Sequence, residues 1–310
     1  MSVPAAFDYH PATSVDEAIA LLRQYGDDAK LLAGGHSLLP TMKLRLAQPG
    51  HLIDLGKISG LSYIREDGGA VAVGAMTTYA TIAGSDLIKQ YFALLPEGVV
   101  LIGDPQVRNR GTIGGSVAHS DPAADTPGMV LALKGDIVAK GLSGVRTIKA
   151  DDFFMDLFQT ALKPDEVVTE IRFAKPPAHT GSAYMKLANK ASHYAVVGCA
   201  AVMTFDDDGT CSAASVVITG ASVKPTRASA VEAALVGKRR EPEGSIAGLL
   251  HKVEEAFAGH KMDEDALADA ASHAADGLEL VSDIHGSKEY RAQMAAVLAR
   301  RAISKAVERA

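Results

Sequence analysis

Two glycine pairs about 80 residues apart constrain this chain more than any other feature. The first lies in Ala33-Gly34-Gly35-His36-Ser37-Leu38-Leu39-Pro40, directly after the short apolar run that ends at Leu32. The second lies in Gly111-Thr112-Ile113-Gly114-Gly115-Ser116. Glycine has no Cβ and reaches positive φ without steric cost. Backbone at such pairs can come very close to another group and can turn consecutive N–H groups toward one anion. Ser37, Thr112 and Ser116 add hydroxyl donors. Two such segments could clamp a diphosphate from both sides, although either one alone also reads as a plain turn. Neither has the spacing of a P-loop or of the Rossmann dinucleotide turn. A diphosphate-containing ligand outside the Rossmann fold is therefore the reading left open. His36 and His119 lie beside the two segments, but no third ligand stands at helical or hairpin spacing, so neutral hydrogen-bond donors fit better than a metal pair. Asp121 and Asp125 follow in a proline-bounded stretch and read either as surface helix caps or as carboxylates accepting from ribose hydroxyls.

The bulk numbers narrow the function classes. A chain of 310 residues with 47% apolar side chains is enough for one large domain or two to three modest ones. A net charge of −6, no basic run and no tryptophan argue against nucleic acid. The two cysteines, Cys199 and Cys211, form no CxxC spacing, so the chain holds no iron–sulfur cluster of its own. Cys199 sits in the apolar run Val196 to Val202 and reads as a buried thiol. Met1 to Asp8 shows no basic-then-apolar leader, and no apolar stretch approaches the roughly 18 residues of a membrane span. The expectation is a cytoplasmic protein.

Periodicity supplies a coarse layout. Ser14-Val15-Asp16-Glu17 opens an amphipathic helix as a capping box, with Val15, Ala18, Ile19 and Leu22 on one face and Gly26 as its stop. Short strands are expected at Lys30 to Ala33, His51 to Leu55 and Ala70 to Gly74, the last forming a hairpin at Gly68-Gly69. Thr77 to Leu95 reads as two helical pieces, Gly103 to Ser120 as irregular, and Ile137 to Ala139 and Val167 to Phe173 as strands. Lys175-Pro176-Pro177 is the best boundary, because two prolines forbid a central strand or helix interior. Beyond it come three strands (Tyr184 to Leu187, Tyr194 to Phe205, Ala214 to Gly220) and a turn at Asp206 to Gly209. A helical pattern then runs from Arg227 and ends in a long helix from Ser287, with Tyr290, Met294, Val297 and Leu298 on one face. The layout is α+β, with a smaller C-terminal α/β domain.

At these residues the chain resembles a known family. Ala33 to Pro40 followed by Met42-Lys43-Leu44-Arg45, the stretch Arg108 to Asp125, and Asp283 to Ile303 look like the first FAD loop, the second FAD loop and the closing helix of the medium subunit of molybdenum hydroxylases, most of all the aerobic carbon monoxide dehydrogenase type. The likeness covers nearly the whole chain. It implies a two-subdomain FAD-binding fold of the vanillyl-alcohol-oxidase-like type (residues 1–177, subdomains about 1–58 and 59–177) and a C-terminal α/β domain with a three-stranded sheet and helices (178–310).

The resemblance also implies site residues. Leu32, Ala33, Gly34, Gly35, His36, Ser37 and Leu38, with Gly111, Thr112, Ile113, Gly114, Gly115 and Ser116, would hold the FAD diphosphate. Asp125 would bind the adenosine ribose or neighbouring polar atoms, and Ile102 and Val167 would touch the cofactor with backbone or apolar atoms. Lys186 matches a lysine near the flavin ring, and Tyr194 a tyrosine against it. From the residues alone, Lys186 reads as an exposed strand lysine and Tyr194 as core. Lys190 stands where many relatives carry arginine, keeping charge without the bidentate fork. The implied role is an electron-transfer flavoprotein with no catalytic acid, base or nucleophile and no metal of its own. Its partners would be a large subunit with the molybdenum cofactor and a small subunit with [2Fe–2S] clusters, in a dimer of heterotrimers that reaches a membrane, if at all, only through the complex. The rivals are a stand-alone flavin oxidoreductase and a flavin-free assembly subunit.

Overall fold

The structure, a computed structural model, describes residues 3–240 and 262–310. Met1 and Ser2 of the leader reading, and residues 241–261 of the helical stretch expected after Arg227, lie outside the described residues. The chain divides into two compact units. The first comprises Met1–Gln90, Val99–Asp121 and Lys134–Lys175, and the second Tyr91–Gly98, Pro122–Leu133 and Pro176–Ala310. The chain thus changes unit at the double proline. Two earlier segments, which a simple division at 177 would leave in the first domain, also fold with the second unit.

In the first unit, β1 (Asp8–Pro11), β2 (Ala29–Leu32) and β3 (His51–Asp54) form a parallel sheet in the order β1-β3-β2. The helix Val15–Tyr25 packs on it through Ala18, Ile19 and Leu22, which meet Ile53 and Leu55 in one apolar cluster. Ser14 caps this helix by accepting from the Glu17 N–H. The reciprocal arm of the box lands one residue early: the Glu17 carboxylate accepts from the N–H and hydroxyl of Thr13. Gly26, at φ +54°, ends the helix.

The rest of the first unit is a five-stranded antiparallel sheet. Its strands are β4 (Ile64–Asp67), β5 (Ala70–Gly74), β6 (Asp136–Gly141), β7 (Gly144–Lys149) and, after the small hairpin β8 (Phe154–Asp156) and β9 (Gln159–Thr160), β10 (Val167–Ala174). The order is β4-β5-β10-β6-β7. Gly68 and Gly69, at φ +56° and +85°, make the expected β4–β5 turn. Two local expectations fail. The stretch after Thr77 forms three helices, Tyr79–Gly84, Asp86–Tyr91 and Leu94–Val99, because Ser85 is extended and breaks the first from the second. The irregular stretch holds two more, Pro105–Arg108 and Ile113–His119, each started by a side-chain cap from Asp104 or Thr112.

The second unit is built on an antiparallel sheet of β11 (Thr180–Ala188), β12 (Ala195–Phe205), β13 (Cys211–Thr219) and a two-residue fourth strand, β14 (Thr226–Arg227), beyond the three expected. The apolar core on one face joins Val197, Cys199, Ala201, Met203, Val216 and Ile218 to the helices Ser229–Leu235, Glu264–Ser272 and Lys288–Val307. Both cysteines are buried and free. The helix Asp125–Ala132 is buried at every residue. That burial explains why its segment leaves the first unit: it packs on β12 and β13.

The C-terminal helix buries only part of the expected stripe: Leu298 is inside and Met294 packs against the core. Tyr290 is exposed, while Arg291, Ala295, Leu298, Ala299, Ala302, Ile303 and Ala306 are inside. Alanines let its backbone come close to the sheet: a Cβ at Gly181 would overlap the Ala306 carbonyl oxygen. Arg291 is buried because it has work there, donating to the carbonyls of Val196 (2.5 Å) and Gly220 (2.7 Å) and to Asp283 (2.6 Å). Arg291→Met should therefore strand two buried carbonyls and lower stability by about 3 kcal/mol, read as a loss in the urea unfolding transition.

Candidate functional site

The first glycine segment leaves β2 at Leu32, whose carbonyl is taken by the Leu55 N–H, and enters a short helix, Leu38–Lys43. Gly34 meets other backbone here. A Cβ at this position would overlap the Arg110 carbonyl oxygen and lie 2.9 Å from Gly111 Cα. The two glycine segments are thus pressed backbone to backbone, with room only for hydrogen. Gly35 takes φ +76°, in the left-handed region. The His36 ring folds back so that Nδ1 lies 2.8 Å from the Gly34 carbonyl oxygen. Among the described residues, the N–H groups of Gly34, Gly35, His36 and Ser37 make no hydrogen bond within the protein. Four successive donors left over at a turn with positive φ are what an anion needs. Ala33, Ser37 and Leu38 are half-buried around them, and His36 is exposed.

The second segment corrects the sequence reading. It is the start of a helix, and none of Gly111, Gly114 and Gly115 has positive φ. All of its N–H groups but that of Thr112 are already spent. Gly111 donates to Val107, Ile113 to Thr77, Gly114 to Ala75, Gly115 to the Thr112 hydroxyl and Ser116 to the Thr112 carbonyl. Its glycines serve close packing: a Cβ at Gly111 would lie 2.7 Å from the Tyr79 ring, and one at Gly114 2.7 Å from the Ala75 carbonyl oxygen. Ile113 is buried. What this segment offers a ligand is its surface and the half-buried Ser116 hydroxyl, which, like that of Ser37, has no partner among the described residues.

One residue past this helix, Ser120 is fully buried at φ +50° and ψ 42°, and its Oγ has no hydrogen-bond partner. A left-handed serine with a buried orphan hydroxyl is strained twice over, a pattern that collects at ligand sites. No sequence signal marked it. Ile102 is half-buried with its carbonyl bound by Arg108. Val167 is 1% exposed and its side chain belongs to the apolar core, so only its backbone remains for a ligand. His36 and His119 belong to no group of three metal-ligating side chains among the described residues. His119 instead packs on Phe158, with ring centroids 5.1 Å apart.

The second unit holds a polar cluster that the sequence did not connect. Tyr184 donates from its hydroxyl to Asp125 Oδ1 (2.5 Å), and Lys186 donates from Nζ to Asp125 Oδ2 (2.7 Å). The Lys186 and Asp125 side chains are 1% and 3% exposed. Lys186 is therefore no exposed strand lysine, and Asp125 is no surface cap: it is the first residue of its helix, and Ala124 holds the cap position. Burial pushes the Asp125 carboxyl up, against the opposing pull of the Lys186 ammonium and the Tyr184 hydroxyl. Burial and the neighbouring carboxylate push the Tyr184 phenol well up, so it stays a donor. Lys186, Gly198 and Thr219 lie in one row across β11, β12 and β13. A Cβ at Gly198 would overlap the Tyr184 hydroxyl and lie 2.7 Å from Thr219 Cγ2. The Thr219 hydroxyl bonds the carbonyls of Pro122 (2.9 Å) and Ala124 (3.0 Å), fixing the chain just before Asp125. Tyr194 is not core. It is 40% exposed, ahead of β12 and behind a turn in which Asn189 Oδ1 accepts from the N–H groups of Ala191 and Ser192.

Comparisons with known proteins agree with each other. Residues 5–176 match the family described as FAD binding domain in molybdopterin dehydrogenase, and residues 182–246 and 244–306 match the CO dehydrogenase flavoprotein C-terminal domain. The chain is 41% identical over 304 residues to the carbon monoxide dehydrogenase medium chain of Hydrogenophaga pseudoflava, covering 98% of each. It is 36% identical over 307 residues to the nicotine 6-hydroxylase medium subunit of Paenarthrobacter nicotinovorans, covering 99% of each. Among solved structures, the carbon monoxide dehydrogenase of Hydrogenophaga pseudoflava superposes with a TM-score of 0.88 at 42% identity, covering 98% of both chains. Quinoline 2-oxidoreductase from Pseudomonas putida 86 gives 0.86 at 31% identity, covering 99% of this chain and 98% of that one.

The packing of Gly34 makes a contrast that can be measured. Gly34→Ala drives a methyl into the backbone of Arg110 and should cost about 1–3 kcal/mol by overpacking. Gly84→Ala, with nothing within 4 Å of the added Cβ, should be neutral or slightly stabilising in the same thermal melt.

Proposed function

The chain belongs to the FAD-binding medium-subunit family of molybdenum hydroxylases that includes carbon monoxide dehydrogenase, and on that premise we propose that it is the subunit through which electrons leave such a complex. The observation that carries this is the run of four N–H donors at Gly34 to Ser37, unspent within the protein beside a backbone contact that only glycine permits. The donor set fits a dinucleotide diphosphate. Within residues 32–38 the run Gly34 to Ser37 supplies its N–H groups, Ser37 and Ser116 supply hydroxyls, and the close-packed helix start at 111–116 closes the site mainly with surface. Hydrogen bonds to a charged acceptor contribute about 1.5–3 kcal/mol each, so this run alone can anchor the group. Ser120 Oγ, buried without a partner, is a further donor suited to a polar ligand.

Within this reading, Ile102 and the Val167 backbone border the cofactor, Tyr194 presents an exposed ring to the flavin, and Lys186 supplies a positive charge near it. Tyr184 and Lys186 each take one acceptor site on the Asp125 oxygens, and the remaining sites are those that a ribose or neighbouring polar atoms of the cofactor would use. Bound FAD supplies a carrier that matches one-electron donors to an acceptor taking two. The large partner carries the molybdenum cofactor and chooses the substrate, and the small partner carries the [2Fe–2S] clusters. This chain binds, orients and shields the flavin, and it contributes no catalytic acid, base or nucleophile. The complex works in the cytoplasm as a dimer of heterotrimers. Among the described residues, no helix is long and apolar enough to cross a membrane.

The test is the complex purified with its neighbours. The expected result is a flavin absorption spectrum, one FAD released per copy of this chain, and iron–sulfur absorbance from the small partner. An intact complex without flavin would overturn the reading. Gly35→Ala must hold φ +76° with a Cβ 2.9 Å from the Leu39 side chain, and should weaken FAD binding by about tenfold. The chain purified alone should oxidise neither carbon monoxide nor an N-heterocycle, and turnover by it alone would refute the relay role.

A further inference from the structure

The geometry points to Leu44 and Leu46, with Lys43, Arg45 and Val3 beside them, as a docking knob for the partner subunit that brings electrons to the flavin; the choice of that partner rests on the FAD reading above. The knob ends the short helix Leu38–Lys43, which follows directly on the donor run at Gly34 to Ser37. The Leu46 N–H donates to the Thr41 carbonyl (2.9 Å) and the Arg45 N–H to the Met42 carbonyl (3.0 Å). This is a common helix ending, in which one residue turns left-handed and is usually glycine. Here Arg45 takes that place, at φ +57°. The residue after it often lays an apolar side chain back on the helix. Leu46 instead is 77% exposed, and Leu44 is 66% exposed.

Both departures cost stability. A left-handed residue with a side chain is strained, and a leucine left in water gains little from folding. The turn is nevertheless pinned. The Gln48 side-chain amide donates to the Arg45 carbonyl (3.2 Å), and Arg45 Nε donates to the carbonyl of Val3 (3.4 Å), which is itself 67% exposed. Large apolar side chains are thus held ready around one fixed arginine, and such ordering lowers the entropy cost of association. Charge says what fits them. Lys43 and Arg45 are exposed, residues 38–48 hold no acid, and neither cation pairs with a carboxylate among the described residues. In a chain of net charge −6 this is a positive spot without a counter-charge of its own. Its complement is a protein surface with an apolar groove edged by Asp or Glu. A lipid surface fits less well, because basic segments that hold anionic membranes cluster about four to eight cations. The helix Leu38–Lys43 has six residues and at 1.5 Å per residue sets the knob about 9 Å beyond Ser37. A subunit seated there lies beside the cofactor, which the electron donor requires and the substrate-oxidising subunit does not. The occupant is therefore the [2Fe–2S] partner.

Three variants of the assembled complex separate docking from folding. All the side chains changed are exposed, so each chain should keep its fold and its FAD. Leu44→Ser with Leu46→Ser removes the apolar anchors and should weaken binding of the small partner by at least about tenfold. Lys43→Glu reverses one charge and should weaken binding less at high salt than at low salt, because the lost attraction is screened. Arg45→Gly gives the left-handed position its preferred residue. Its melting temperature should therefore hold or rise while binding of the small partner falls. A turn built only for stability would keep the small partner in all three.

Dilution of the purified complex, followed by the mass of the species present, reads the concentration at which the small partner leaves. FAD content and melting temperature are measured alongside. The expected result is that the small partner leaves each variant at a higher concentration than it leaves the wild type, with the large partner retained. Flavin-loaded variants that dissociate as the wild type does, or that lose the large partner in place of the small one, would overturn this inference alone. So would a wild-type complex that binds phosphatidylserine vesicles through the two leucines while their replacement leaves assembly unchanged. A wild-type complex without flavin would overturn the FAD reading, and its FAD content shows that before any variant is compared.

Discussion

The contact on which the first unit depends is the one between Gly34 and the backbone of Arg110 and Gly111. It joins a turn at the end of a parallel strand to the start of a helix nearly eighty residues later, with no side chain between them. Everything a ligand would meet there is set by that closeness. The first segment keeps its N–H groups free where Gly35 turns the chain at φ +76°, while the second spends all but the Thr112 N–H on Val107, Thr77, Ala75 and Thr112. The two glycine pairs look alike and do opposite work. One leaves donors exposed, and the other removes bulk so that a helix can wedge in.

The second unit uses absence in the same way. Gly181 lets the C-terminal helix lie on β11, Gly198 lets the Tyr184 hydroxyl reach its carboxylate, and a Cβ at Gly98 would overlap the Met129 sulfur. Around these gaps the polar groups are tightly matched. Arg291 satisfies two carbonyls and a carboxylate, and Glu97 is held by Lys305 and Arg309. Burial raises the Glu97 pKa, but those two cations outweigh it and hold it below the usual range, so the clamp is complete above the ordinary glutamate pKa and is lost as pH falls through the lowered value.

Local chemistry made part of this legible. Ser14 and Gly26 bound the first helix, Gly68-Gly69 and Asp206 to Gly209 mark turns, and the apolar runs of β10, β12 and β13 show where sheets lie. The second glycine segment read as a loop because glycine disfavours helix, yet Thr112 caps the segment and its neighbours take up its donors, so tertiary contacts override propensity. The C-terminal helix keeps Leu298 inside as its periodicity says, but leaves Tyr290 exposed and fills most of its buried face with alanine, which a backbone lying against Gly181 selects. The Asp125–Lys186 pair joins residues 61 apart on a helix and a strand, and no periodicity connects them. A lysine among apolar neighbours reads as exposed until its carboxylate is seen.

The division of the chain has a consequence for how it is made. It passes between the two units at 90/91, 98/99, 121/122, 133/134 and 175/176. The helix Asp125–Ala132, buried at every residue, therefore leaves the ribosome well before β12 and β13, the strands that will cover it, have been synthesised. During that interval it presents an apolar surface with no native cover, the kind of transient exposure that chaperones answer. Neither unit exists as a continuous stretch of gene, so a truncation at the double proline yields a fragment carrying two orphaned segments rather than an independent domain.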